Sequence, residues 1–293
     1  MVSLVDAIMN GDIESIKNND NLVFYDEFKC ALETAIECDQ FEIFKYLVSN
    51  DDIASSLIKC AYLRAAQSCK LSMMKYLDDN FSIEPRHIKR AVFRESVQCG
   101  HVNVIQYLLK THGNIINEID YTCNNNILFM IAVDQCNLEM VKLLASLPGI
   151  VPSDRDQFAI RCAARHGVLD MVKLLVTLPG VDPFYDHSKP FLVAARRGHV
   201  DVVKFLLTLA DNNTLKNIAY GCIPSIMIDG QLDVLKELLK IPHIRHFLVD
   251  SRKSPILEEL WNEIVNDRVE EANVNSALST LFGVDVSNSI MKY

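Results

Sequence analysis

The chain has 293 residues, with 29 Lys and Arg against 38 Asp and Glu, a formal charge of −9. That balance argues against a phosphate-binding surface as the protein's main business, and so against a nucleic-acid partner. Hydrophobic residues make up 49% and charged residues 23%, which excludes a disordered chain and supplies a large core.

The nine cysteines include no C-x-x-C pair, and the chain is too long and too cysteine-poor for a disulfide scaffold. The residues before Met9 are too polar and too few for a secretory core segment. No run approaches about 18 apolar residues, so no membrane span is expected. Together these predict a cytoplasmic chain with free thiols. Delivery into a host cell without a cleavable signal is equally compatible with them.

In chain order, a turn signal recurs at Gly11, Asp39, Cys69, Gly100, Cys136, Gly167, Gly198 and Gly230. The copies stand out at Ser96–Leu109, Cys162–Leu175 and Val193–Leu207. Before each centre, small residues such as Ala163-Ala164 and Ala194-Ala195 predict a helix that packs closely. At the centre, Gly suits the left-handed turn that ends a helix. After it come an acid, an apolar pair, a lysine and a Leu-Leu pair, as in Asp201, Val202, Val203, Lys204, Leu206 and Leu207. This is a second helix with its acid in the first turn, where the helix dipole favours it, and a buried stripe at helical spacing. The pairs Glu139/Lys142, Asp170/Lys173 and Asp201/Lys204 lie three apart on one helix face.

Cys69 and Cys136 stand where the turn favours Gly, so those two turns are expected to depart from the common backbone geometry. Cys38, Cys69, Cys99, Cys136 and Cys162 keep phase with the repeat, which predicts small buried packing residues. Extra length between the centres at 100 and 136 falls near Asn114–Asn126. Leu147-Pro148-Gly149 recurs at Leu178-Pro179-Gly180 and should break the second helix and open a loop. Past residue 250 the pattern fades. Ile256–Val265 is amphipathic, and 251–293 is predicted to be a helical cap or a decayed last repeat, anchored by Trp261.

The segment Gly198-His-Val-Asp-Val-Val-Lys-Phe-Leu-Leu207 resembles the second half of an ankyrin repeat, and the mean spacing of about 31 residues is close to the family's period. The resemblance implies an all-α, ankyrin-type solenoid of about eight to nine helix–turn–helix repeats joined by short loops or hairpins, over residues 1–250. The family's Thr-Pro-Leu-His start is missing: Lys189-Pro190-Phe191-Leu192 keeps only the proline. Hydrophobic contact is therefore expected to do more of the locking between repeats. His101 and His199 follow a turn glycine and resemble the family's structural histidine.

No phosphate loop and no H-E-x-x-H is present, and His243-x-x-His246 lacks a ligand cluster, so neither cofactor nor metal is expected. The chain is read as a non-enzymatic scaffold or adaptor, a monomer that binds another protein on its concave face. Its degenerate repeats resemble those of host-interacting proteins of intracellular microbes and large viruses. Two alternatives remain open: an effector enzyme with a cryptic Cys/His site, and a substrate-recruiting subunit docked through 251–293. By repeat phase, the resemblance places Arg155, Gln157, Arg165 and His166, then Tyr185, Asp186, Arg196 and Arg197, then Tyr220 and Asp229, on the partner face. Arg165-His166 and Arg196-Arg197 are expected to form a basic patch bordered by Tyr185 and Tyr220, residue types favoured at binding hot spots.

Overall fold

The computed structural model describes residues 4–18, 25–49, 55–83, 86–111, 123–242 and 244. The readings placed on 251–293, Trp261, His243 and His246, and most of the predicted insertion, lie outside the described residues. Among the described residues there is no β-strand, and the fold is all-α. The chain divides into two compact units, 1–154 and 155–293.

In the first unit, helices α1 (Leu4–Met9) and α2 (Ile13–Lys17), α3 (Tyr25–Glu37) and α4 (Phe41–Val48), α5 (Ser55–Gln67) and α6 (Leu71–Asn80), α7 (Arg86–Gln98) and α8 (Val102–Thr111), and α9 (Cys123–Asp134) and α10 (Leu138–Ala145) follow as pairs. In the second, α11 (Asp154–His166) pairs with α12 (Leu169–Val176), and α13 (Tyr185–Arg196) with α14 (Val200–Leu209). A last first-helix is split into α15 (Asn212–Asn217), a π segment (Ile218–Cys222) and α16 (Ile223–Ile228), ahead of α17 (Leu232–Leu239).

One hydrogen-bonding scheme makes the turns at 11, 39, 69, 100, 136, 167 and 198. The turn residue donates its N–H three residues back, and the next residue donates five back, satisfying carbonyls that the helix end leaves open. At the third-last turn these bonds run from Gly167 to Ala164 (3.3 Å) and from Val168 to Ala163 (3.3 Å). At the next they run from Gly198 to Ala195 (3.0 Å) and from His199 to Ala194 (3.0 Å). The Ala-Ala pair thus supplies the acceptors while its methyls pack in the core at full burial. Ser96 takes the first of these two positions in α7. It is fully buried, its hydroxyl oxygen has no partner among the described residues, and its carbonyl accepts from His101 (2.8 Å).

The expected departure at the two cysteine turns does not occur. Cys69 and Cys136 both hold φ 57° and Asp39 holds φ 60°, beside φ 68–74° for the five turn glycines. The same bonds form at these centres, Cys69 to Ala66 (3.2 Å) and Cys136 to Val133 (2.9 Å). The capping bonds and the neighbouring repeat therefore hold the left-handed backbone, and the side chain bears the strain. The burial expected of the turn cysteines also fails. Cys38 and Cys99 are exposed and Cys69 and Cys136 half-buried, because the turn lifts these side chains out of the core; Cys162, one turn back in its helix, is buried.

Polar groups, not hydrophobic contact alone, lock successive repeats. The residue after the turn opens the second helix and reaches back to the preceding repeat's turn. His101 Nε2 meets the Gln67 carbonyl (2.6 Å), and His199 Nε2 the Arg165 carbonyl (2.9 Å). Gln40 and Asn137 amides donate to the carbonyls of Met9 (3.2 Å) and Gly100 (3.3 Å). The structural reading of the two histidines fits these bonds. A second lock lies in the hairpins. Both Arg155–Gln157 and Asp186–Ser188 are left-handed, with φ of 50–59° and 49–64°, so the right-handed turns of α11 and α13 start at Phe158 and Lys189. The last residue of each left-handed turn is buried, as is Asn126, the matching residue of α9 with φ 60°. Gln157 donates to the Gly180 carbonyl (2.9 Å) and accepts from the Asp182 N–H (3.2 Å). Asn126 accepts from the Val151 N–H (3.3 Å) in the same way.

In the first unit, Tyr62, fully buried in α5, and Tyr107 of α8 both donate to one carboxylate oxygen of Asp78 in α6, at 2.9 and 2.7 Å. Burial comes first among the causes that push both phenols above the usual tyrosine range, with the Asp78 carboxylate adding to it.

Candidate partner-binding face

The residues assigned to a partner face fall mostly in the second unit, on its first helices and hairpin turns. Along the right-handed parts of these helices, one side is core: Ala159, Ile160, Ala163 and Ala164 in α11, and Pro190, Phe191, Ala194 and Ala195 in α13. The other side is what remains, so the same 3.6-residue period that buries alanine presents Arg165, His166, Lys189, Arg196 and Arg197 to solvent.

Arg165 and His166 are exposed at the end of α11. The Arg165 guanidinium also lies 3.6 Å from the Cys162 sulfur, and a His166 ring nitrogen lies within 4.8 Å of it. Tyr185 is 36% exposed and donates its hydroxyl to Asp156 at 3.3 Å. The charge of that carboxylate holds the phenol above its ordinary range. Asp186 accepts from Lys189 at 3.0 Å, and this bond pulls its carboxyl below the ordinary range. Tyr220 is 48% exposed on the π segment. That segment has a local cause. Pro224 cannot donate an N–H four residues back, and the backbone widens so that Ile223 bonds five back to Ile218.

Two of the assigned residues behave otherwise than expected. Gln157 is 7% exposed with both ends of its amide engaged by the next hairpin, so it cannot meet a partner. Arg196 is not an open cation of a basic patch. It forms a bidentate ion pair with Asp229 of the following turn, which raises its own pKa and lowers that of Asp229. Arg197 is exposed and, among the described residues, has no ion-pair partner. Arg155 is exposed on the left-handed turn, where its carbonyl accepts from Arg161 (3.4 Å). In the first unit, Arg64 sits 3.6 Å from both Glu33 and Glu37.

Repeat phase left other accessible residues of these helices unassigned. Leu192 and Val193 are half-exposed and Gly221 and Pro224 exposed. Their signal was available, because 192 and 193 lie three and four residues before Arg196 on one helix face.

Residues 129–218 match the family described as ankyrin repeats, in three copies. This stretch is a run of ankyrin repeats. The ankyrin stretch holds α11 to α14 and, of the residues expected at a partner face, all but Tyr220 and Asp229. No curated protein matches the chain. Ankyrin repeats are in general protein–protein interaction modules and typically carry no enzymatic activity. Among the described residues, no helix is long and apolar enough to cross a membrane.

Proposed function

We propose that the protein is a non-enzymatic scaffold or adaptor, and that the first-helix face of the second unit, with Arg155, Arg165, His166, Tyr185, Asp186, Arg197 and Tyr220 accessible, holds a protein partner. The ankyrin match across 129–218 carries this reading. The exposed Arg and Tyr side chains support it, since their large flat groups are favoured where partners bind. Arg196 and Asp229 shape the face as a fixed pair. A cytoplasmic setting, a monomeric state and a role at a host interface belong to the same proposal.

The alternative of a cryptic thiol enzyme gains little. Cys162, which has the His166 imidazole beside it, is buried, and Cys222 is pushed up to about 11 by burial, which leaves it un-ionised at neutral pH. Affinity capture on the full chain tests the proposal, comparing wild type with an Arg165→Glu, Arg197→Glu, Tyr220→Ala triple variant. All three side chains are exposed, so the fold is expected to survive. Loss of a specific partner with unchanged circular dichroism is the expected result. Unchanged capture of every partner refutes this face.

A further inference from the structure

The chemistry of the partner can be narrowed from the charges that repeat packing leaves on this face, resting on the reading just given. The stretches 158–166, 189–197 and 223–229 carry Arg161, Arg165, Lys189, Arg196 and Arg197 but only one acid, Asp229. The hairpin turns that open the first two of these helices add Asp156 and Asp186, so in a chain whose formal charge is −9 the excess of cations is confined to the helix ends. Asp229 is already spent on Arg196, and Lys189 is met by Asp186 at 3.0 Å. Arg197 is exposed and, among the described residues, has no ion-pair partner. Arg161 on the neighbouring first helix adds a half-exposed guanidinium. Its terminal nitrogen donates to the Arg155 carbonyl (3.4 Å), its charge adds to that of Lys189 in lowering the pKa of Asp186, and its Nε is buried without an acceptor among the described residues. What an incoming anion can meet is the half-exposed part of that guanidinium, not the buried Nε. The same helices also leave Leu192 and Val193 half-exposed and Pro224 exposed, and an added Cβ at Gly221 would meet nothing within 4 Å, so a chain can approach closely there.

We propose that the occupant is an extended acidic segment of a partner protein, setting carboxylates against Arg197 and Arg161 and aliphatic side chains along Leu192, Val193 and Pro224. Arginine forks match carboxylates two bonds at a time, so the anion fixes the register while the apolar side chains add area. Because the whole chain is acidic, diffuse attraction does not favour such a ligand, and binding has to come from these residues.

The test uses the full chain and three labelled dodecapeptides built on Glu-Glu-Ile, Gln-Gln-Ile and Lys-Lys-Ile repeats, read by fluorescence anisotropy. The Glu peptide is expected to bind at least tenfold more tightly than the Gln peptide, to weaken as salt rises, and to lose at least tenfold on Arg197→Glu. Arg161→Gln gives a second readout, and Arg197→Lys should restore part of the affinity. Equal binding of Glu and Gln peptides, binding of the Glu peptide unchanged by Arg197→Glu, or no binding of any peptide overturns the proposal. So does equal competition by a 12-nucleotide oligothymidylate, which would make the site a phosphate site. If the Gln or Lys peptide binds and Tyr220→Ala abolishes it, the acidic ligand is wrong while the partner face stands.

Discussion

A left-handed residue with a β-carbon costs roughly 1–2 kcal/mol, and the chain accepts that cost at Cys69 and Cys136. Replacing either with Gly relieves the strain but frees the unfolded chain, so the net gain is expected to be up to about 1 kcal/mol each. Urea midpoints measure it, and a loss of stability at both sites would contradict the strain argument. Ser96 offers a second gain. Its hydroxyl is buried without a partner where neighbouring repeats place Ala, so Ser96→Ala is expected to stabilise by about 1 kcal/mol in the same assay. The thiols differ by the same logic of position. Cys38 and Cys99, exposed on turns, should react with iodoacetamide at neutral pH well before Cys222, whose burial raises its pKa to about 11. A raised folded pKa also means that the stability linked to Cys222 is intact below the unfolded thiol value, near pH 8.5–9, and drains away as pH climbs toward 11. The two raised phenols on Asp78 act with the same sign above about pH 10, so the chemical-denaturation midpoint should fall steadily from pH 8.5 upward. A midpoint that holds flat to pH 11 would refute this linkage.

At the scale of elements, what the sequence made legible and what it hid divide along one line. The helix pairs, their buried stripes and the turn centres could be read because each obeys a short period, 3.6 residues within a helix and about 31 between repeats. Asp170 and Lys173 do lie within 4.0 Å, as their spacing implies. Lys204, however, turns from Asp201 to Glu237 of the next second helix (3.5 Å), a choice made by stacking that no local window contains. Gln157 shows the same limit more sharply. In phase it stands with exposed residues, but three left-handed residues rotate it inward, and nothing in Arg-Asp-Gln announces that turn. Its amide then locks the next hairpin in a chain that lacks the Thr-Pro-Leu-His start. Gln157→Ala leaves the Gly180 carbonyl and the Asp182 N–H unmet and is expected to cost about 1–3 kcal/mol. Hydrogen exchange should quicken first at residues 180–188, and unchanged protection there would show that the amide holds nothing.

Each ankyrin repeat leans on its neighbours, so damage to one should spread a short way and stop. Gly167 is the place to test this in the whole molecule. Its φ is +73°, and a β-carbon built there falls inside the imidazole of His199, the same ring that reaches back to the Arg165 carbonyl. Gly167→Ala therefore combines backbone strain of roughly 1–2 kcal/mol with displacement of an inter-repeat hydrogen bond worth about 1 kcal/mol. The expected loss is about 2–3 kcal/mol, felt by α11 and α12 on one side of the bond and α13 and α14 on the other. Helices α3 to α6, which form their own pairs at residues 25–80 and share no partner with His199, should keep their exchange protection. The two halves of this outcome separate two kinds of molecule. If protection falls together at 25–80 and at 154–209, folding is cooperative over the whole chain, and nearest-neighbour stacking is not what sets its stability. If it falls only around the lesion, the same locality lets side chains of the partner face change one repeat at a time without disturbing the rest, which is the physical condition for a repeat protein to acquire a partner of its own.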